Sequence, residues 1–187
     1  MQRQVEYLDG EGPQYTAQCL EIVEGLVKEG YKHIVVASTS GKTGLEFAHQ
    51  FKDRDLNLVV VTHSAGFKGP NTNEFSQVAK EEIERLGGKV HTGTILTHSL
   101  EKALAERHKG LYPTILIGEV LRIFSQGVKV ACEIVMEACD AGLIGEDEEV
   151  VAVGGTGKGA DTVCIVKSAC SKRFLNLRVL EIVAKPR

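Results

Sequence analysis

The sequence lacks several features that would assign it to a function class at once. It has no strong charge of one sign: the formal net charge is -3 over 187 residues. Bulk binding to a phosphate backbone needs a basic face, so nucleic acid is not the expected partner. No apolar run approaches the ~20 residues that a membrane-spanning helix needs. The opening stretch MQRQVEYLDGEG has no apolar centre, so it does not read as a secretory leader. There is no Cys-x-x-Cys pair among Cys19, Cys132, Cys139, Cys164 and Cys170, and the number of cysteines is odd. They are expected to be reduced core thiols in a cytoplasmic protein, with no base or cation beside them to make a nucleophile. His33, His49, His91, His98 and His108 show no metal-ligand spacing, and no metal site is expected. Internal repeats and low-complexity linkers are absent too.

The chain is 43% apolar and 25% charged, which is ordinary for a globular protein. Its length fits one domain over residues 1–187 with a sizeable core. Residues 5–8 (VEYL) suit a short strand, ended by DGEGP. Thr16 to Lys28 reads as a helix, with Thr16 as N-cap and Cys19, Leu20, Val23, Leu26 and Val27 on one stripe. His33 to Ala37 (HIVVA) and Leu56 to Thr62 (LNLVVVT) are β-branched runs of the kind found in buried parallel strands. Between them, Thr43 to Lys52 is predicted helical. His63 to Thr72 is a loop of functional length. Asn73 to Leu86 is a further helix, and Lys89 to Thr92 a short strand. This βαβαβ pattern predicts a parallel sheet covered by helices, with all strand-to-helix loops at one end. Ligands of open α/β sheets bind at that carboxyl end.

Thr97 to Arg107 is expected to be helical with Ser99 as a cap. After Pro113 a single long helix is expected from Ile117 to Ala141. Its polar positions Lys129, Glu133, Glu137 and Asp140 read as a solvated face with i,i+4 pairing. Strands are expected at Glu149–Val153, Thr162–Lys167 and Arg178–Ala184. No helix separates them, so this third of the sheet should be antiparallel or mixed.

Three segments carry candidate chemistry. Ser38-Thr39-Ser40-Gly41-Lys42-Thr43-Gly44 follows a buried strand and opens a helix. Unpaired N–H groups, hydroxyls and a Lys suit a phosphate there. The tripeptide Gly41-Lys42-Thr43 suggests a nucleotide-hydrolysing P-loop, but Val36 stands where that pattern needs Gly. The plain structural reading is a turn with Ser40 as N-cap. Gly154-Gly155-Thr156-Gly157-Lys158-Gly159-Ala160-Asp161 holds four glycines in eight residues, which demands a special backbone conformation. A strand follows it, through Thr162, so the dinucleotide reading of its spacing lacks the required helix. It is a wide hairpin loop or a second wall of a ligand site. Thr62-His63-Ser64-Ala65-Gly66-Phe67-Lys68 ends a strand with a histidine, hydroxyls and an aromatic ring. His63 and Asp161 are the candidate proton-handling groups, and the catalytic residues stay unassigned.

The stretches HIVVASTSGKTGLEFA, NLVVVTHSAG, GEDEEVVAVGGTGKGADTVCIV and RVLEIVA resemble the C-terminal domain of pyruvate kinase, in order across residues 12–184. EVVAVGGTGKGADT and the KPR ending resemble a family of stand-alone, largely archaeal proteins of that fold. The resemblance implies a three-layer αβα fold with a mixed, mostly parallel sheet. It also implies that the turn at Ser38–Thr43 holds a phosphate, as the matching turn in pyruvate kinase does for a sugar bisphosphate. The stand-alone family looks flavin-binding, which makes flavin mononucleotide (FMN) the expected cofactor. The catalytic barrel of pyruvate kinase is missing here, so phosphate transfer from phosphoenolpyruvate is not expected. Three readings follow: an FMN-binding protein, a flavin-dependent oxidoreductase, and a module sensing a sugar phosphate. A homo-oligomer is compatible with each.

Overall fold

The computed structural model describes residues 4–97 and 99–187; Met1–Arg3 and His98 lie outside it. Its centre is a seven-stranded sheet of order β1-β7-β6-β5-β2-β3-β4. The strands are β1 (Glu6–Leu8), β2 (His33–Ala37), β3 (Asn57–His63), β4 (Lys89–Gly93), β5 (Glu149–Gly154), β6 (Thr162–Lys167) and β7 (Arg178–Pro186). The block β5-β2-β3-β4 is parallel, β6 runs antiparallel to both β5 and β7, and β1 closes the edge parallel to β7. The sheet is therefore mixed and mostly parallel.

The helices are α1 (Thr16–Lys28), α2 (Lys42–Phe51), α3 (Gln77–Arg85), α4 (Leu100–His108), α5 (Pro113–Arg122) and α6 (Gln126–Asp140). They form the two outer layers. Strand side chains alternate between the faces, as the two-residue period requires. Ile34, Val36, Leu58, Val60, Val151 and Val153 pack with Val23 and Leu26 of α1, Phe47 and Phe51 of α2 and Ile83 of α3. The intervening Val35, Val59, Val61, Val150 and Ala152 face the other way, onto Val128, Ala131, Val135 and Ala138 of α6.

Several expected elements shift. The long helix predicted over residues 117–141 is two helices, α5 and α6. Ser125 stands between them in extended conformation, and its Oγ accepts from the N–H of Val128 at 3.0 Å. A serine that can cap thus ends one helix and starts the next. Thr16 is the first residue of α1, with Tyr15 at the N-cap position. Its Oγ1 instead accepts the N–H of Ala160 at 3.0 Å. α3 starts later than predicted because Ser76 caps it, while the Asn73 side chain takes the N–H of Phe75 at 3.0 Å. Ser99 does sit at the N-cap position of α4, without a side-chain cap bond.

The largest correction concerns the stripe on α6 expected to face water. Lys129, Glu133 and Glu137 are 2%, 4% and 5% exposed. Every residue from Gly127 to Cys139 except Val130 is buried. Helix α6 lies between the sheet and an outer layer that includes α5, so its polar side is covered as well as its apolar side.

The connectivity fixes where loops can meet. From β2 the chain moves through α2 to β3 and through α3 to β4. It then returns by α4–α6 across the opposite face to β5, which pairs with the other side of β2: Val36 opposes Val153. That is a topological switch point, where the loops leaving two adjacent parallel strands open a crevice at their carboxyl ends.

Candidate functional site

The two loops flanking this switch point are the Gly-rich segments singled out above. After β2, Ser38 stays against the sheet, its N–H donating to Val61 O at 2.9 Å. Ser38 Oγ accepts from the N–H of Gly44 at 3.2 Å. Capping of α2 therefore comes from Ser38, and the N-cap position belongs to Gly41, not to Ser40. Gly41 has φ +93°, and a Cβ there would stand 2.7 Å from the Cβ of Ala79. Only glycine suits both that backbone and that approach. The N–H groups of Lys42 and Thr43 have no acceptor from the described residues in this first turn. Ser40 and Lys42 are exposed and Thr43 is buried. Ser40 itself is tied by its carbonyl, which accepts the N–H of Ser76 at 3.1 Å. The carbonyl of Thr39 accepts Thr62 Oγ1 at 3.3 Å. An anion at this turn would meet N–H groups, hydroxyls and one ammonium, with the helix dipole of the same sign.

After β5, the loop from Gly154 to Asp161 folds around a buried carboxylate. Asp161 is fully buried. Its Oδ2 accepts the N–H groups of Gly12 at 3.0 Å and Thr156 at 2.9 Å, and its Oδ1 accepts Thr162 Oγ1 at 2.9 Å. Asp161 is thus the hub that ties this loop to the segment before α1; its oxygens serve the fold. Gly157 and Gly159 adopt φ +74° and +73°, and Gly159 lies so close to Pro13 that a Cβ would come within 2.3 Å of its Cα. Ala160 and Thr162 are buried beneath the loop, and Gly154 is pressed onto the start of α6. Gly155 and Thr156 are half-buried, and Gly157 reaches solvent. The Thr156 hydroxyl is shielded from water and has no hydrogen-bond partner in the structure. A sequestered hydroxyl without a partner is costly unless something else fills the role.

The third segment lies one strand further along. His63 Nε2 is 3.3 Å from Glu74 Oε2, and its ring centroid is 4.3 Å from that of Phe67. Lys68 also reaches Glu74, at 3.4 Å. Gly66 has φ +89° and its N–H donates to Thr72 O at 2.8 Å. Glu74, which the sequence reading passed over, therefore organises this loop. No spacing marked it, because the contact is made by chain reversal through Gly66–Thr72.

A fourth group was misread rather than missed. Glu133 accepts the Lys129 ammonium and both the N–H (3.0 Å) and hydroxyl of Thr97. Glu137 Oε2 is buried without a hydrogen-bond partner. It faces Gly93, where a Cβ would collide with it and with His91 Nε2. Gly93 pairs with His63 across β3 and β4. Burial, with Glu133 beside it, pushes the Glu137 carboxyl up to about 8, so it carries its proton at neutral pH. Burial also pushes the Lys129 ammonium down, against the pull of Glu133. The signal in the sequence was the i,i+4 spacing, which is the same for solvated and buried pairs.

The remaining titratable groups do not compete as sites. Burial pushes the thiols of Cys19 and Cys132 up to about 12 and that of Cys139 to about 11, so they stay protonated. All five cysteines are free. Among the described residues no group of three His, Cys, Asp or Glu could hold a metal ion, and no helix is long and apolar enough to cross a membrane. Open grooves at the amino ends of the strands are lined by Lys32, His33, Asp55 and Lys89 and by Tyr31 and Glu148. Lys32 already pairs with Asp55 at 3.1 Å, and Lys89 with Asn57 at 2.8 Å. They lie at the far end from the Gly-rich loops and offer no converging donors.

The fold is a three-layer α/β domain whose switch point, between β2 and β5, is flanked by two Gly-rich loops. The family described as pyruvate kinase, alpha/beta domain, matches residues 18–166, and the chain belongs to that family. Among solved structures, that of O-ureido-L-serine synthase aligns at a TM-score of 0.31 and 19% identity. The alignment covers 54% of this chain and 31% of that one, so this chain spans about a third of that protein. So slight a likeness carries no argument.

Proposed function

We propose that this protein binds a phosphorylated small molecule, FMN foremost, in the crevice between the loops that follow β2 and β5. The observation that supports this reading is the convergence at one switch point of an open helix N-terminus, Gly41–Gly44, with the loop that holds the unpartnered Thr156 hydroxyl. The phosphate would lie against the first turn of α2, where Ser40, Lys42 and Thr43 add donors. The ring of the ligand would lie toward Gly155–Gly157 on one side and toward His63 and Phe67 on the other. Phe67 is exposed and its ring lies beside that of His63, so the pair would offer an aromatic edge to a flat ring. When bound, FMN supplies hydride and electron transfer. The chain's own residues would fix its orientation, and His63, held by Glu74, is the group placed to handle a proton. The setting expected for such a protein is the cytoplasm, with its thiols reduced.

The test is a visible absorption spectrum of the purified protein after incubation with FMN and desalting. A retained flavin band is the expected result. Loss of all flavin on desalting, together with retention of fructose bisphosphate in an equilibrium-dialysis control, would replace FMN by a sugar phosphate at the same turn.

A further inference from the structure

Helices α4 and α5 form an arm with no core of its own. None of the nine residues of α4 is buried, and in α5 only Gly118 is. Ile115, Ile117 and Leu121 of α5 are half-buried. Helices this short are marginal in water unless they are packed or tied, so the polar ties of the arm matter. Glu101 braces it internally, accepting the N–H (2.8 Å) and the hydroxyl of Thr114 at the start of α5. At its far root, Arg122 Nε donates to Gln126 at 2.7 Å. At its near root, Thr97 gives both its N–H, at 3.0 Å, and its hydroxyl to Glu133 of α6. Gly118 rests on that same residue: a Cβ there would stand 3.2 Å from Thr97 Oγ1. The arm is thus seated on the bond between Thr97 and Glu133.

That bond stands on a cluster of uneven charge. The Lys129 ammonium pairs with Glu133. One turn further along α6, Glu137 Oε2 is buried without a hydrogen-bond partner and is pressed against Gly93, where the strap leading to Thr97 begins. The groups around Glu137 are Glu133, Lys129 and Asp140 on its own helix and His91 on β4, while Arg122 of α5 acts on Lys129. A desolvated carboxyl with a carboxylate beside it keeps its proton. Losing that proton would put a second negative charge between Glu133 and the Gly93 backbone, where no donor meets it. Water reaches the new charge when the strap lifts, and lifting the strap breaks the bonds from Thr97 to Glu133.

We infer that Glu133, Glu137 and the strap from Gly93 to Thr97 form a pH-sensitive latch. With Glu137 protonated the strap lies down and Thr97 docks on Glu133; with Glu137 ionised the strap lifts and the arm of α4 and α5 is released. Latched, the Glu137 carboxyl is held at about 8; in water it returns to its ordinary 4.5. The latched state therefore loses ground as pH rises between those values and changes no further above about 8. The shift is at most about tenfold in the latch equilibrium per pH unit. Both roots of the arm lie at the end of the sheet that carries the Gly-rich loops: Gly93 pairs with His63, and Ser125 Oγ stands 3.5 Å from Thr162 Oγ1. Release therefore loosens structure on that side of the molecule, and the latch needs no ligand to work.

The test is amide hydrogen exchange by nuclear magnetic resonance on the full chain without ligand, with the intrinsic pH dependence of exchange divided out. The Thr97 N–H reports the latch, and the N–H of Val35, in the centre of β2, reports global opening. In the wild type, Thr97 should open more readily than Val35. Its opening should rise several-fold or more between about pH 5.5 and 7.5, within the limit of about tenfold per unit, and the order parameters of α4 and α5 should fall over the same range. Glu137→Gln should hold the Thr97 opening constant and keep the arm fixed. A wild-type Thr97 opening that does not change with pH overturns the inference, as does one that equals that of Val35 throughout, or a pH dependence that persists in Glu137→Gln. The wild-type series is decisive even where the variant does not fold.

Discussion

The two faces of the sheet are covered in different ways. On one, α1, α2 and α3 each lay an apolar stripe on the strands and turn charged residues to water. Glu82 and Arg85 of α3, 2.7 Å apart, are a surface pair of that kind. On the other, α6 lies beneath further structure, and its charged residues are sealed in with its apolar ones. The same i,i+3 or i,i+4 spacing thus means a solvated pair on one face and a buried ion cluster on the other. Energetically the two are far apart, because a buried charge that loses its partner has no water to replace it.

The largest effect should come from breaking the buried cluster. Glu133→Ala would strand the Lys129 ammonium and the Thr97 N–H and hydroxyl, and should cost about 3–5 kcal/mol of stability. Glu82→Ala, on the opposite face, should cost far less, because water takes the place of the lost partner. Urea unfolding of the two variants side by side checks this. Similar costs would show that the two faces do not differ as described.

A pH-dependent effect sharpens the contrast. Burial holds the Glu137 carboxyl at about 8 instead of its ordinary 4.5. Between those values the folded chain keeps a proton that the unfolded chain releases, so stability falls as pH rises through that window. The slope from this group is at most about 1.4 kcal/mol per pH unit. Glu137 is faced by Glu133, Lys129 and Asp140 on its own helix and by His91 on β4. Glu137→Gln removes only its own titration. The variant should therefore gain on the wild type steadily from pH 4.5 to about 8 and no further above. Parallel stability curves for the two proteins would place an ordinary, solvated carboxyl at this position.

Much of the first face was legible from the chain alone. α1 at Thr16–Lys28, β2 at His33–Ala37 and β6 at Thr162–Lys167 fall where periodicity and β-branched runs put them, because one buried side is all those patterns encode. The second face was not, since periodicity reports which residues alternate and not how many sides a helix has covered. Ser125 shows the same limit, as a polar residue in a helical run breaks the helix only if its hydroxyl finds the N–H three residues on. In the crevice, the two Gly-rich loops could be read as unusual one by one. Their adjacency depends on β5 inserting beside β2 after a return of more than fifty residues of intervening chain, which no local spacing records. The role of Asp161 was hidden for the same reason, since one of its three donors is Gly12, at the other end of the sequence.

The first turn of α2 is proposed to recognise a phosphate. It is tested most directly by titrating the wild type, and the Ser40→Ala, Thr43→Ala double variant, with FMN and with riboflavin, following flavin fluorescence. The wild type is expected to prefer FMN by about tenfold or more, as charge-assisted hydrogen bonds to one phosphate allow. This preference should collapse in the double variant while riboflavin binding is little changed. Equal affinity of the wild type for the two flavins, or an FMN preference that survives both substitutions, would contradict it.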